Sequence, residues 1–166
     1  MSATKVKEME QVNIGLDSDS VSAVNERLNT LLADEQVLYT KTRNFHWNMT
    51  GMEFMQLHEM LDQHYNSLQE MSDQIAERSR MLGAHPLGSM AQFLEKTRLT
   101  EEGDPTLDAA AMLEILVEDH EAIIRSLRED IDVTSEELGD EGTTDLFIGL
   151  MREHEKMGWM LRAFLE

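Results

Sequence analysis

The chain has 166 residues, 41% of them hydrophobic and 28% charged, so it can bury a single-domain core and is too hydrophobic to be intrinsically disordered. It contains no cysteine, which excludes disulfides, thiolate zinc sites and thiol catalysis. Fourteen basic against 33 acidic residues give a net charge of −19, which opposes binding to phosphate backbones and anionic membranes and attracts cations. Solubility alone also explains such acidity.

The first predicted element is a long helix that follows a flexible arm. Residues 1–17 carry no apolar period and are expected to form that arm, ahead of a domain spanning 18–166. The Asp-Ser-Asp-Ser cluster at 17–20 supplies capping side chains just before an apolar stripe of helical spacing begins. The stripe consists of Val21, Val24, Leu28, Leu31, Leu32, Leu38 and Phe45. It stops near 48–51, where a capping hydroxyl and a glycine interrupt the pattern.

A second long helix is predicted from about Glu53 to Leu82, because Gly83 and Pro86 follow it closely. The connection that comes next, residues 84–105, contains both prolines of the chain. A short helix over Ser89–Lys96 fits inside it.

Two further long helices complete the predicted architecture. Asp104 is predicted to cap the third helix, with Pro105 in its first turn, and Gly139 is predicted to end this helix. Its stripe is Leu113, Leu116, Val117, His120, Ile123, Ile124, Leu127 and Ile131. The fourth helix is predicted over roughly Thr144–Leu165, with Leu146, Leu150, Met151, His154, Met157, Leu161 and Phe164 facing inward. Four long helices with one extended middle connection predict an all-α four-helix bundle, and an elongated three-helix protein is the alternative.

No apolar run approaches the ~20 residues that span a bilayer, so no membrane association is expected. The N-terminal residues lack the apolar core of a secretory signal. The expected location is therefore the cytoplasm.

Histidines and carboxylates gather around the second helix. His46 lies at the end of the first helix, and the second carries His58 and Asp62 four residues apart and Asp73 and Glu77 four residues apart. Each pair therefore lies on one helix face, and the eleven residues from Asp62 to Asp73, close to three turns, put both pairs on one stripe. Imidazoles with carboxylates form a ligand set suited to iron, zinc or manganese.

The reach of these side chains decides how they could act together. Eleven helical residues extend about 16 Å, whereas bonds from a metal to His or carboxylate ligands are roughly 2.0–2.2 Å long. One straight helix therefore cannot bring both pairs to one ion. Two copies related by a twofold axis could, with His58 and Asp62 of one chain facing Asp73 and Glu77 of the other. The alternative is that these are ordinary solvated side chains, which acidic helices also place four residues apart by chance.

A long and specific pattern runs through this part of the chain. Its residues are Tyr39, Lys41, Arg43, Asn44, Phe45, His46, Trp47, Asn48, Met49, Thr50, Gly51, Phe54, Leu57, His58, Asp62, Tyr65, Asp73, Ala76, Glu77 and Arg78. The pattern resembles the signature of the Dps family of mini-ferritins, and the similarity extends over about residues 20–165. The resemblance implies a ferritin-like bundle whose ferroxidase ligands are His46, His58 and Asp62 from one subunit, with Asp73 and Glu77 from its twofold mate.

The resemblance also implies a function. Family members form a homododecamer around a small cavity, oxidise Fe(II) in pairs, in preference with hydrogen peroxide, and store ferric mineral. For this chain the expected oxidant is hydrogen peroxide or oxygen. The chain is thus expected to be an iron-sequestering ferroxidase that protects against oxidative stress, with zinc as a possible competitor for the site. Trp47 is expected near the iron, or alternatively as an interface aromatic. Asp140 and Asp145 match a region that lines iron-entry pores, although acidity at a helix N-terminus explains them equally well.

Two functions other than iron oxidation remain as alternatives. A DNA-compacting structural protein is the first, but Lys5 and Lys7 are outnumbered by acidic neighbours in the N-terminal arm and the C-terminus carries no basic extension, so weak or absent DNA binding is expected. A metal-free helical scaffold is the second.

An intra-chain di-iron enzyme is disfavoured, because none of the six histidines has Glu three residues before it and no HExxH motif occurs. The remaining histidines are assigned outside the site. His120 and His154 are expected as core histidines, His85 lies in a loop, and His64 could bind adventitious metal.

Overall fold

The computed structural model describes residues 12–166, so most of the predicted arm at 1–17 lies outside the described residues. Within that range the chain contains no strand and forms five α-helices and one π-helical turn. They are α1 (Ser18–Asn48), α2 (Phe54–Met81), α3 (Met90–Lys96), α4 (Ala109–Asp132), the π-helical turn (Val133–Glu137) and α5 (Glu141–Arg162). The all-α prediction is confirmed. None of the described helices is long and apolar enough to cross a bilayer.

The four long helices form two hairpins that share one core. Helix α1 packs along α2 and α4 packs along α5, while α1–α4 and α2–α5 contacts join the hairpins and α3 covers α1. Every position of the predicted α1 stripe is buried. The predicted α4 and α5 stripes are mostly buried, and the partly exposed positions are Ile124, Ile131, Leu146, Met151 and Phe164.

Capping side chains stand at the predicted starts of α1 and α3. The Asp17 side chain accepts hydrogen bonds from the backbone N–H groups of Asp19 and Ser20, at 2.9 and 2.8 Å. Ser89 caps α3 in a reciprocal box with Gln92. Because these side chains take up N–H groups that have no partner within the helix, α1 and α3 begin where the cap residues stand.

The start of α4 differs from the prediction. The helix begins at Ala109 rather than at Pro105, and its cap is Asp108, whose carboxylate accepts from the Ala111 N–H at 2.9 Å. Asp104 instead accepts from the N–H and hydroxyl of Thr106, forming a separate turn. The predicted cap was wrong because its side chain is used within that turn.

The junction between α4 and α5 also differs in detail. Helix α4 ends at Asp132 and continues as the π-helical turn, and Gly139 then adopts φ +64°. Helix α5 begins at Glu141, three residues before the predicted Thr144, because Asp140 caps it through the Thr143 N–H at 3.1 Å.

A buried carboxylate fastens the long middle connection to α1. Asp34, fully buried on α1, accepts from the Thr97 hydroxyl at 2.8 Å and from the Arg98 backbone N–H at 2.7 Å. The Arg98 guanidinium adds bonds of 2.8 and 2.6 Å to the second oxygen. The connection is thereby held against the bundle.

Candidate metal centre

Two histidines meet where α1 turns into α2, and each orients the other. The Nδ1 of His46 lies 2.9 Å from the carbonyl oxygen of His58, and the Nδ1 of His58 lies 3.0 Å from the carbonyl oxygen of His46. Since a carbonyl only accepts, both Nδ1 atoms carry the hydrogen. In the neutral rings the Nε2 atoms therefore hold the free lone pairs that a metal ion needs. The rings stack with centroids 3.7 Å apart and an interplanar angle of 18°.

Asp62 lies one helical turn beyond His58 and is held by its own neighbours. The Tyr65 hydroxyl donates to Asp62 Oδ1, and the Asn66 amide donates to Oδ2 at 3.3 Å. The hydrogen bond to Asp62 raises the pKa of Tyr65, so the phenol keeps its proton and remains the donor. A carboxylate has about four lone-pair sites, so both Asp62 oxygens can still bind a cation.

Asp73 and Glu77 stand apart from these residues. Both lie farther along α2, both are exposed, and neither accepts a hydrogen bond or ion pair from another described residue. Within residues 12–166, no three His, Asp or Glu side chains lie close enough together to hold one metal ion. A single chain therefore presents two separated half-sets: an imidazole set with Asp62, and a pair of free carboxylates.

An exposed apolar surface borders the imidazole set. Trp47, Met52 and Met55 are largely exposed, and the Phe54 ring lies 5.0 Å from that of His58. The Arg43 guanidinium lies 5.2 Å from the Trp47 ring centroid. Clustered exposed apolar side chains of this kind are typical of a surface that another protein covers.

The two predicted pore residues occupy different environments. Asp140 is buried, pairs with Arg78 at 2.6 Å, and also accepts from the Thr143 hydroxyl at 2.5 Å. Its carboxylate thus caps α5 and ties it to α2, which agrees with the alternative of acidity at a helix N-terminus. Asp145 is exposed.

Three of the remaining histidines lie in the core, together with a carboxylate that the sequence analysis missed, and His85 lies in the loop after α2 as expected. His120 and His154 are fully buried as expected, and His64 is also buried. Burial lowers the pKa of His64 to about 4 and holds that of His120 well below its usual value, so both rings are neutral near pH 7. The missed residue is Glu35, 0% exposed. Its position on the α1 stripe, three residues after Leu32 and three before Leu38, was the signal available.

Comparisons with known proteins agree with this architecture. A family model for the ferritin-like domain matches residues 25–166. A low-temperature-induced protein of Nostoc is 44% identical over 158 residues, covering 95% of this chain and 88% of that protein. DNA protection during starvation protein 2 of Bacillus anthracis is 37% identical, covering 86% of this chain and 96% of that protein.

A solved structure gives the same result in three dimensions. The crystal structure of the Dps protein from Vibrio cholerae matches with a TM-score of 0.88 and 36% identity, over 96% of this chain and 99% of that one. That protein is described as a member of a broad superfamily of ferritin-like diiron-carboxylate proteins.

Proposed function

This chain belongs to the Dps family of ferritin-like proteins, and from that premise we propose that it is an iron-storage mini-ferritin that oxidises Fe(II) at sites shared between two subunits. The observation that carries the proposal is the pair His46 and His58. Each ring donates a hydrogen bond from Nδ1 to the other residue's carbonyl oxygen, so the lone pair on Nε2 is available to a metal ion. Such tautomer control is characteristic of histidine ligands.

The shared site follows from what one chain lacks. His46, His58 and Asp62 form one half, and Asp73 and Glu77, about 16 Å farther along the same helix, form the other. A twofold axis beside α2 would bring the free carboxylates of each chain to the imidazoles of its mate, giving two identical sites. The exposed apolar side chains next to His58 support this arrangement, because a partner subunit would cover them.

The donor set suits the proposed chemistry. Imidazole nitrogens bind Fe(II) well, and the hard carboxylate oxygens favour the Fe(III) that forms. Two Fe(II) ions give one electron each to one hydrogen peroxide molecule, whose O–O bond breaks to leave two hydroxides. Because both electrons are delivered together, hydroxyl radical is not released. We propose that the ferric product is stored inside a homododecameric shell and that the reaction protects the cell from oxidative stress.

Iron entry completes the proposal. The carboxylate of Asp145 is exposed at the first turns of α5, and a ring of such groups around a symmetry axis would concentrate Fe(II) by focusing the electrostatic field. Asp140 would stabilise the same region, since it fixes the start of α5 through its contacts with Arg78 and Thr143.

A stopped-flow experiment tests the ferroxidase proposal. The purified assembly is loaded anaerobically with Fe(II) and then given a stoichiometric pulse of hydrogen peroxide, while ferric absorbance is recorded. We expect fast oxidation in the wild type and its loss in His46→Ala/Asp62→Ala. The matched control His85→Ala/Asp132→Ala removes the same residue types elsewhere and should retain the fast phase. Equal rates in all three proteins would refute the proposal.

A further inference from the structure

A second group of metal-binding side chains lies inside the bundle, away from the shared site. Each long helix contributes one residue to it: Glu35 from α1, His64 from α2, His120 from α4 and His154 from α5. Three of the four are 0% exposed and His64 is 3% exposed. Protein cores seldom contain so many ionisable groups in one layer unless these groups are paired or bind a ligand, because burial removes their hydration.

A hydrogen bond to Glu35 orients the His154 ring. The Nε2 of His154 lies 2.7 Å from Glu35 Oε1, and since the carboxylate accepts, that nitrogen carries the hydrogen. When the ring carries only that hydrogen, its lone pair lies on Nδ1. This Nδ1 faces the Nδ1 of His120 at 2.9 Å. A histidine whose second nitrogen is held by a carboxylate is the usual arrangement around a metal ion.

Several atoms of the layer have no partner in the described part of the chain. They are Glu35 Oε2, His120 Nε2, and both ring nitrogens of His64. Buried polar atoms are nearly always paired, so these atoms need a bound water molecule or ion as their partner. The His64 ring is the most informative, because neither of its nitrogens has a hydrogen-bond partner among the described residues. This ring lies edge-on to that of His120, with centroids 6.3 Å apart.

The spacing of the two facing nitrogens suits a metal ion. Two imidazole nitrogens bound tetrahedrally at roughly 2.0–2.1 Å lie about 3.3 Å apart, so the 2.9 Å gap between the Nδ1 atoms of His120 and His154 needs only a small opening. A water molecule does not fit between atoms this close, whereas a hydrogen-bonding proton fits as they stand and a metal ion fits once the gap opens to about 3.3 Å. Rotation of the His64 ring would supply a third nitrogen, since no three ligands are yet gathered at one point within residues 12–166.

We infer that this layer is an intra-chain site for one divalent transition-metal ion, bound by His120 Nδ1, His154 Nδ1 and a ring nitrogen of His64, with Glu35 orienting His154 and balancing charge. Zn²⁺ fits this nitrogen-rich set best. The site would crosslink α2, α4 and α5 within one subunit. It differs from the shared site in donors, depth and symmetry, so the two can be tested separately.

Anomalous diffraction locates the ion directly. The full assembly is produced in Zn²⁺-supplemented medium, so that the buried site can fill during folding, and diffraction data are collected at the zinc edge. We expect an anomalous peak between the Nδ1 atoms of His120 and His154. Absence of that peak overturns the inference, whether or not zinc occupies the shared site. A peak in the core supports the inference, and the peroxide assay tests the proposed function separately.

Zinc retention gives a second, independent readout. After a chelator wash of the folded assembly, the wild type should keep about one buried zinc ion per subunit, and His120→Gln should lose it. Asp62→Asn, which alters the shared site, is the matched control and should retain the ion. Equal zinc content in the wild type and His120→Gln overturns the inference and leaves a shared proton as the occupant. If His120→Gln fails to assemble, His64→Gln replaces it with the same expected loss.

Discussion

Replacing Tyr65 with phenylalanine removes a single hydroxyl from beside the shared site and should slow iron oxidation. That hydroxyl donates to Asp62 Oδ1, and the Asn66 amide holds the other oxygen at 3.3 Å. Loss of a hydrogen bond to a metal ligand lowers metal affinity or activity by roughly 10–100-fold. Because the Asn66 contact remains in Tyr65→Phe, we expect the lower end of that range, about 10-fold.

The assay is the initial rate of ferric absorbance after a hydrogen peroxide pulse, measured over a series of Fe(II) concentrations. A mispositioned Asp62 should raise the Fe(II) concentration needed for half-maximal rate more than it lowers the plateau. Tyr39→Phe is the matched control, because Tyr39 packs edge-on to Tyr65 with centroids 6.1 Å apart and its hydroxyl accepts from Arg43, not from a proposed ligand. If Tyr65→Phe and Tyr39→Phe both behave like the wild type, Asp62 is not positioned by Tyr65.

Three further predictions concern stability and partners. Asp34→Ala should lower the free energy of unfolding by about 2 kcal/mol in urea titrations at fixed protein concentration, because it leaves the Thr97 hydroxyl and the Arg98 backbone N–H without their acceptor. A loss below about 0.5 kcal/mol would show that water replaces the carboxylate. Gly139→Ala should cost about 1 kcal/mol in the same titration, since φ is +64° while the space beside the Cα is open; an unchanged value would contradict left-handed strain there. The assembly should not shift linear DNA in a gel at ~0.15 M salt, because each subunit carries a net charge of −19; retarded, compacted DNA under that condition would contradict the electrostatic reasoning.

Helix positions were predictable because the apolar period and the caps are local. The stripe from Val21 to Phe45 is fully buried and the Asp17 cap is used as expected. The start of α4 was not predictable in the same way. Asp104 and Asp108 are both suitable caps, and which one serves depends on the turn that Asp104 makes with Thr106.

The candidate site was only partly predictable for a similar reason. Spacing along α2 gives the stripe and the distance between its two halves, but the exchange of hydrogen bonds between His46 and His58 depends on the tertiary turn between α1 and α2. The buried role of Asp140 depends on Arg78, which is 62 residues away in the chain. Glu35 was overlooked because a carboxylate on an apolar stripe is usually read as an interruption.

The question of a shared site is settled most directly by mixing subunits. One variant, His58→Ala/Asp62→Ala, lacks the first half of the site, and the other, Asp73→Ala/Glu77→Ala, lacks the second. In a twofold pair that contains one of each, one site has lost both halves and the other is fully intact. Each variant alone should therefore show almost no fast Fe(II) oxidation. Co-expressed in equal amounts, they should recover about a quarter of the wild-type fast phase, since half of the pairs are mixed and each mixed pair has one working site. No recovery in assemblies shown by mass spectrometry to contain both variants would contradict a site built from two chains.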